Sequence, residues 1–99
     1  MITVKRLREL PGFLGTGILY KLSEPIGFDI DYETDKPEAF TDHVVISTVY
    51  VGYSCNRWET YIFPATPEGK VINWGELPGS MNYEQSQEAV ISRAGWKLE

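Results

Sequence analysis

A chain of 99 residues, 42% hydrophobic and 13% aromatic, suffices for one domain (1–99) with a compact core and no metal or disulfide staple. Its formal net charge of −5 disfavours a nucleic-acid partner, and its single cysteine, Cys55, excludes an internal disulfide and fits a reducing compartment. No stretch approaches the ~20 apolar residues of a membrane helix, and the opening MITVKRLREL lacks the apolar run of a signal peptide.

Along the chain, Ile2 and Val4 share one side of an extended segment, which predicts a short strand in Met1–Leu7. Lys5, Arg6 and Arg8 then read as charges guarding a sheet edge rather than as a nucleic-acid arm. Pro11–Gly17 has the spacing GxxGxG. That is neither the dinucleotide fingerprint nor a Walker A loop, so a turn is expected and not a phosphate cradle. Ile18–Ser23 predicts a second strand, broken by Glu24-Pro25-Ile26-Gly27.

Phe28–Asp35, FDIDYETD, alternates Phe28, Ile30 and Tyr32 with Asp29, Asp31 and Glu33. On a strand this makes an apolar face and a carboxylate ladder, a docking surface for a basic partner. An EF-hand reading meets Thr34 where the loop needs glycine and Phe40 where it needs a bidentate glutamate, so no metal is expected. Asp35–Asp42 is polar and reads as a mobile loop.

His43–Val51, HVVISTVYV, has the near-continuous β-branched character of a central strand covered on both faces. A turn over Gly52–Arg57, carrying Cys55 and Asn56, leads to a strand at Trp58–Phe63. Trp58, Thr60 and Ile62 face one way there, and Glu59, Tyr61 and Phe63 the other. Pro64 is expected to end this strand or lie on an edge. Pro67-Glu68-Gly69 reads as a hairpin loop, with a return strand at Lys70–Trp74. Gly75 interrupts the return, and Pro78-Gly79 marks a further turn.

Asn82–Trp96 is the one helix pattern. Asn82 is its expected cap, with Gln85 in capping-box spacing. Tyr83, Val90, Ile91 and Ala94 form the apolar face. Gly95 is expected at C′, with Trp96 at C″ near Ile91 at C3.

No catalytic set emerges, and a non-enzyme without cofactors is expected. His43, the single histidine, adjoins Asp42 but has no nucleophile placed beside it. Glu59 and Glu76 could form a carboxylate pair, but nothing in the sequence sets their separation. Trp58, Tyr61, Trp74 and Trp96 read either as core packing or as an anchor patch. Arg57 is the cation that would serve a ligand stacked between Trp58 and Trp74.

The segments YKLSEP (20–25), HVVIS (43–47), ETYIFPATPEGKVINWGELPGS (59–80) and EAVISRAGW (88–96) together resemble a group of short uncharacterised proteins of tailed bacteriophages. The likeness spans most of residues 18–96, and FDIDYETDKPEAFT departs from it as an insertion or variable segment. No activity comes with the resemblance. It implies expression in a bacterial cytoplasm and a role in host takeover, counter-defence or virion assembly.

The expected fold is α+β: an antiparallel sheet of four to six strands with the C-terminal helix packed on one face. The expected function is binding of a host or phage protein through an acidic and aromatic surface comprising Asp29, Asp31, Glu33, Arg57, Trp58, Tyr61, Trp74 and Glu76. The alternatives are an oligomeric binder of a nucleotide-like ligand and a virion component. A homodimer through a strand edge is expected to be available, because an open sheet leaves edges.

Overall fold

The computed structural model describes residues 1–13, 15–52 and 57–99, and within them six strands and one helix. The strands are β1 Thr3–Leu10, β2 Thr16–Ile30, β3 Pro37–Val51, β4 Arg57–Ala65, β5 Met81–Asn82 and β6 Lys97–Leu98, and the helix is α1 Gln87–Arg93. They form one sheet in the order β5-β4-β3-β2-β1-β6. Every neighbouring pair is antiparallel except β1 and β6, which run parallel. The sheet is therefore mixed and not antiparallel throughout as expected. Two residues, Lys97 and Leu98, are too few to carry a periodic signal.

The valine-rich run lies at the centre, as its composition requires. β3 pairs with β2 on one side and β4 on the other, and His43 to Thr48 are all buried. Alternation sends Val44 and Ile46 into the larger core, with Val4, Tyr20, Leu22, Ile62, Leu77, Val90 and Ile91. Val45 points the other way, into a smaller cluster with Leu10, Leu19 and Ala65. Only the first face is covered by α1. A helix this short is unstable alone, and docking Val90 and Ile91 on the sheet is what sustains it.

The turn over Gly52–Arg57, with Cys55 and Asn56, lies largely outside the described residues. Pro64 remains within β4, opposite Val44. Its carbonyl accepts from Ile72 N at 2.9 Å, so this residue turns its backbone away from β3 and its missing N–H removes no rung of that ladder. The hairpin loop forms as expected: Thr66 N donates to Lys70 O at 2.8 Å, and Gly69 takes φ +92°. The return strand at 70–74 does not form. A single bridge, Ala65 to Val71, takes its place, and β5 becomes the neighbour of β4. From there the chain crosses the edge of β4. Val71 packs on the smaller cluster and Leu77 in the larger core.

Two further expectations are corrected. Glu24–Gly27 does not end the second strand. Between Lys21 and Ile26, β2 advances five residues while β3 moves two, from His43 to Thr41. The surplus makes a bulge that holds Pro25, where a missing N–H costs nothing. Beyond it, residues 37–42 are strand and not loop, because Ile26–Ile30 gives them a partner. This arm brings Ile26, Phe28 and Ala39 onto the core beneath α1.

The helix begins at Gln87, later than its pattern suggests. Ser86 is the cap, its Oγ accepting from Ala89 N at 3.2 Å. Asn82 is held in β5, and Tyr83 adopts φ 62°, which no helix continues. The C-terminus follows expectation. Gly95 N donates to Ser92 O at 3.0 Å and Trp96 N to Ile91 O at 3.1 Å, the two bonds of a Schellman motif.

Polar groups cross the interior in one chain of hydrogen bonds. Tyr20 OH donates to Gln87 Oε1 at 2.7 Å, and Gln87 Nε2 donates to Ile46 O at 3.0 Å and to Thr48 Oγ1 at 3.2 Å. Thr48 and Thr60 hydroxyls lie 3.1 Å apart, and Thr60 donates to Glu84 O at 2.7 Å. Because Thr60 spends its proton on Glu84, Thr48 must be the donor between them. Burial pushes the Tyr20 phenol up, in keeping with its role as donor.

Candidate interaction surface

The face of β4 turned away from α1 carries Arg57, Glu59, Tyr61 and Phe63, opposite Val51, Val49, Ser47 and Val45 of β3. Arg57 Nε donates to Glu59 Oε2 at 2.5 Å, and Tyr61 OH donates to Glu59 Oε1 at 2.6 Å. Glu59 is only 7% exposed. The Tyr61 hydrogen bond, aided by the Arg57 contact, outweighs desolvation and holds this carboxyl below its ordinary range. A carboxyl kept ionised in this way is a poor general acid. The Arg57 guanidinium also lies 5.2 Å from the centre of the Tyr83 ring.

Burial first, and then the Glu59 carboxylate, push the Tyr61 phenol up to about 12. An unfolded phenol ionises near pH ~10. Between those values the unfolded chain releases a proton that the folded chain keeps, so stability present below pH ~10 is lost as pH rises through the folded pKa. Glu59 acts with the opposite sign. Its contribution is present above an ordinary glutamate pKa of ~4.3 and is lost as pH falls through its lower folded value. Ultraviolet titration should find a phenol ionising near pH 12 in the wild type and missing in Tyr61→Phe. An unchanged curve in that variant would contradict the assignment.

Trp74 is 67% exposed, yet its ring is not isolated. It meets Phe63 edge-on at 5.1 Å between centroids and Phe13 at 6.4 Å, and Phe63 in turn meets Tyr61 at 6.1 Å. Sequence reading passed over Phe13 and Phe63, although Phe63 shares Tyr61's side of the alternation. Phe13 is seated by the glycines of the GxxGxG segment. A Cβ on Gly17 would lie 2.5 Å from the Phe13 ring, and one on Gly15 2.0 Å from Thr48 O. These glycines permit the close approach of the Phe13 ring and of the Thr48 carbonyl. Gly17→Ala should displace Phe13 and lower stability by about 1–3 kcal/mol, read by denaturant melts. An unchanged midpoint would contradict this seating.

Trp58 lies on the opposite face, on the side of Thr60 and Ile62, with its ring 5.3 Å from Tyr50. Trp58 and Trp74 therefore cannot form two walls of one site within a chain. Trp96 is partly buried against the larger core.

The carboxylate ladder is not formed either, since the strand stops at Ile30. Asp31 N donates to Lys36 O at 2.9 Å, and Asp35 N donates to Asp31 O at 2.7 Å. The Asp31 carboxylate accepts from Glu33 N at 2.8 Å, so Asp31 caps a turn at the tip of the arm that also carries Glu33. Tyr32 stands fully exposed between them, and Ile30 and Phe40 are exposed nearby in the chain. Asp29, at φ 54°, accepts from Asn73 Nδ2, which ties the arm to the segment bearing Trp74. Asp29 and Glu76 share the wall of a cleft of about 260 Å³ between arm and segment. Glu76 also acts electrostatically on Tyr61.

The eight residues singled out from sequence thus fall into groups. Arg57 and Tyr61 are joined through Glu59, and Trp74 reaches Tyr61 through Phe63. Asp29 and Glu76 flank the Trp74 segment. Asp31 and Glu33 stand at the arm's tip, and Trp58 lies on the other face.

His43 Nδ1 lies 2.7 Å from Asp42 Oδ1, and its side chain is nearly buried. Among the described residues no serine or cysteine hydrogen-bonds to it, and no three His, Cys, Asp or Glu side chains gather to hold a metal. No helix among them is long and apolar enough to cross a membrane. No family model matches the chain, and no curated protein and no solved structure matches it.

Proposed function

We propose that this chain is a non-enzymatic interaction protein of the small tailed-phage type. It binds a basic host or phage protein through an acidic and aromatic surface and serves host takeover or counter-defence in the bacterial cytoplasm. The observation that carries this reading is the solvent-exposed Trp74, backed by Phe63 and flanked by Asp29 and Glu76, on a chain of net charge −5. An exposed aromatic anchor beside desolvated rings is the usual centre of a protein interface, and surrounding carboxylates choose a basic partner and speed its approach.

Pairing of two copies through the open part of β1 is a weaker reading. β6 pairs with Thr3 and Val4, and among the described residues no strand lies beyond Lys5 to Leu10 on that side, which leaves an open edge. Each copy brings Lys5, Arg6 and Arg8 to this edge against one acidic residue, Glu9, so two such edges repel on approach.

Affinity capture from bacterial lysate tests the proposal. A basic protein should be retained in stoichiometric amount at low salt and released as salt screens the contact. The triple variant Asp29→Asn, Asp31→Asn, Glu33→Gln should lose it. A clean lane at low salt, or capture indifferent to the triple variant, would count against the acidic surface.

A further inference from the structure

The open face of the sheet carries a cavity of about 280 Å³ whose walls are Phe13, Tyr61, Phe63 and Trp74, with Ser47 and Val49 as floor. The rings do not stack flat. Successive planes are tilted by 40° between Tyr61 and Phe63, 67° between Phe63 and Trp74 and 52° between Phe13 and Trp74. The four rings line one hollow at mutual tilts, whereas a flat base or sugar asks for parallel walls. Among the described residues the lining carries no charged side chain, so a small ion entering it meets no salt-bridge partner and no repelling cation.

The surrounding field has a sign. Glu59 and Glu76 both act on the Tyr61 hydroxyl as negative charges. The nearest basic group on this strand, Arg57, is paired with Glu59 at 2.5 Å. A ligand anion would also approach against the net charge of −5.

We propose that this cavity is an aromatic cage for an alkylated ammonium group, either a free quaternary ammonium ion or a methylated lysine side chain. Each ring contributes attraction through its quadrupole, and methylation lowers the cost of stripping water from the cation. Ser47 leaves the floor small and Gly17 lets Phe13 lie against the sheet, so the cage is shaped by backbone and does not depend on a partner. The inference goes beyond capture of a basic protein and stands without it.

Titration of the intact chain with choline, followed by tryptophan fluorescence or by the indole NMR signals, tests the cage. Choline should bind saturably with a Kd in the range of about 0.1–10 mM, the affinity of a few cation–π contacts. The uncharged isostere 3,3-dimethyl-1-butanol should bind at least about tenfold more weakly, because it keeps the shape and loses the charge. Trp74→Ala should abolish binding, and Trp58→Ala, on the opposite face, should leave it unchanged. A trimethyllysine peptide that saturates well below choline would identify a modified protein as the source of the cation. Choline binding with at least about tenfold weaker binding of the peptide would identify the free ion. No saturable response to choline or to the peptide, equal binding of the neutral isostere, or preference for adenosine would overturn the proposal. Partner capture is scored separately, so either idea can fail alone.

Discussion

Replacing Ile46 by alanine is expected to lower the free energy of unfolding by about 2–5 kcal/mol. Ile46 is fully buried in the central strand, with β2 on one side, β4 on the other and the core beneath α1 around it. Its register partners, Ile18 and Ile62, also face that core, so no neighbour can move in to fill the void without breaking a ladder. A domain of this size has roughly 5–15 kcal/mol in all, so the loss is a large share of it. Denaturant melts monitored by circular dichroism measure it. Val49→Ala, nearby on the open face and only half-buried, serves as the control and should cost much less. Equal losses from the two would mean that the two faces do not differ as described.

The second large effect concerns Gln87. Its carboxamide accepts from Tyr20 while donating to Ile46 O and Thr48. Gln87→Leu keeps much of the side-chain bulk and leaves the buried Tyr20 hydroxyl without its acceptor. An orphaned buried polar group costs about 1–3 kcal/mol. The expected loss is in that range, or a fall in Tm of roughly 4–8 °C per kcal/mol. Gln87→Glu adds a pH signature. The carboxylate can still accept from Tyr20 but cannot donate to Ile46 O, and only the protonated acid restores the donor. Its folded pKa should therefore be raised. The variant should approach wild-type stability below an ordinary glutamate pKa of ~4.3 and lose that stability as pH rises through the folded value. A deficit independent of pH would show that the carboxamide does not hold the helix in this way.

Much of this architecture was readable because local chemistry and tertiary demand agree. The run from His43 to Val51 is too apolar for any place but the centre. Pro67-Glu68-Gly69 supplies the backbone angles of its turn, and Gly95 with Trp96 supplies those of the helix end. The failures share a cause, namely pairing with distant residues. Pro25 looks like a strand breaker until a bulge absorbs it. Residues 37–42 look like a loop until Ile26–Ile30 lies beside them. Asn82 and Gln85 have capping-box spacing, yet Asn82 is drawn into a bridge with Glu59, and Ser86, without that signature, caps the helix.

The surface was readable to a lesser degree. Alternation in β4 already separates Trp58 from Tyr61, but nothing local says which side α1 will cover. The Arg57–Glu59–Tyr61 relay lies at spacing two on one side of a strand and could have been found there. Phe13 could not, since its place depends on the absence of a side chain at Gly17, across a turn.

The account rests on the open face being the face that meets a partner. The most direct measurement is capture of the basic partner by two single variants in parallel, Trp74→Ala and Trp58→Ala, each checked for an unchanged melt. Both tryptophans are exposed, and they lie on opposite sides of one sheet. Loss of capture in Trp74→Ala with capture retained in Trp58→Ala is the predicted result. Capture that survives without Trp74 and fails without Trp58 would place the interface on the side of α1 and contradict the account.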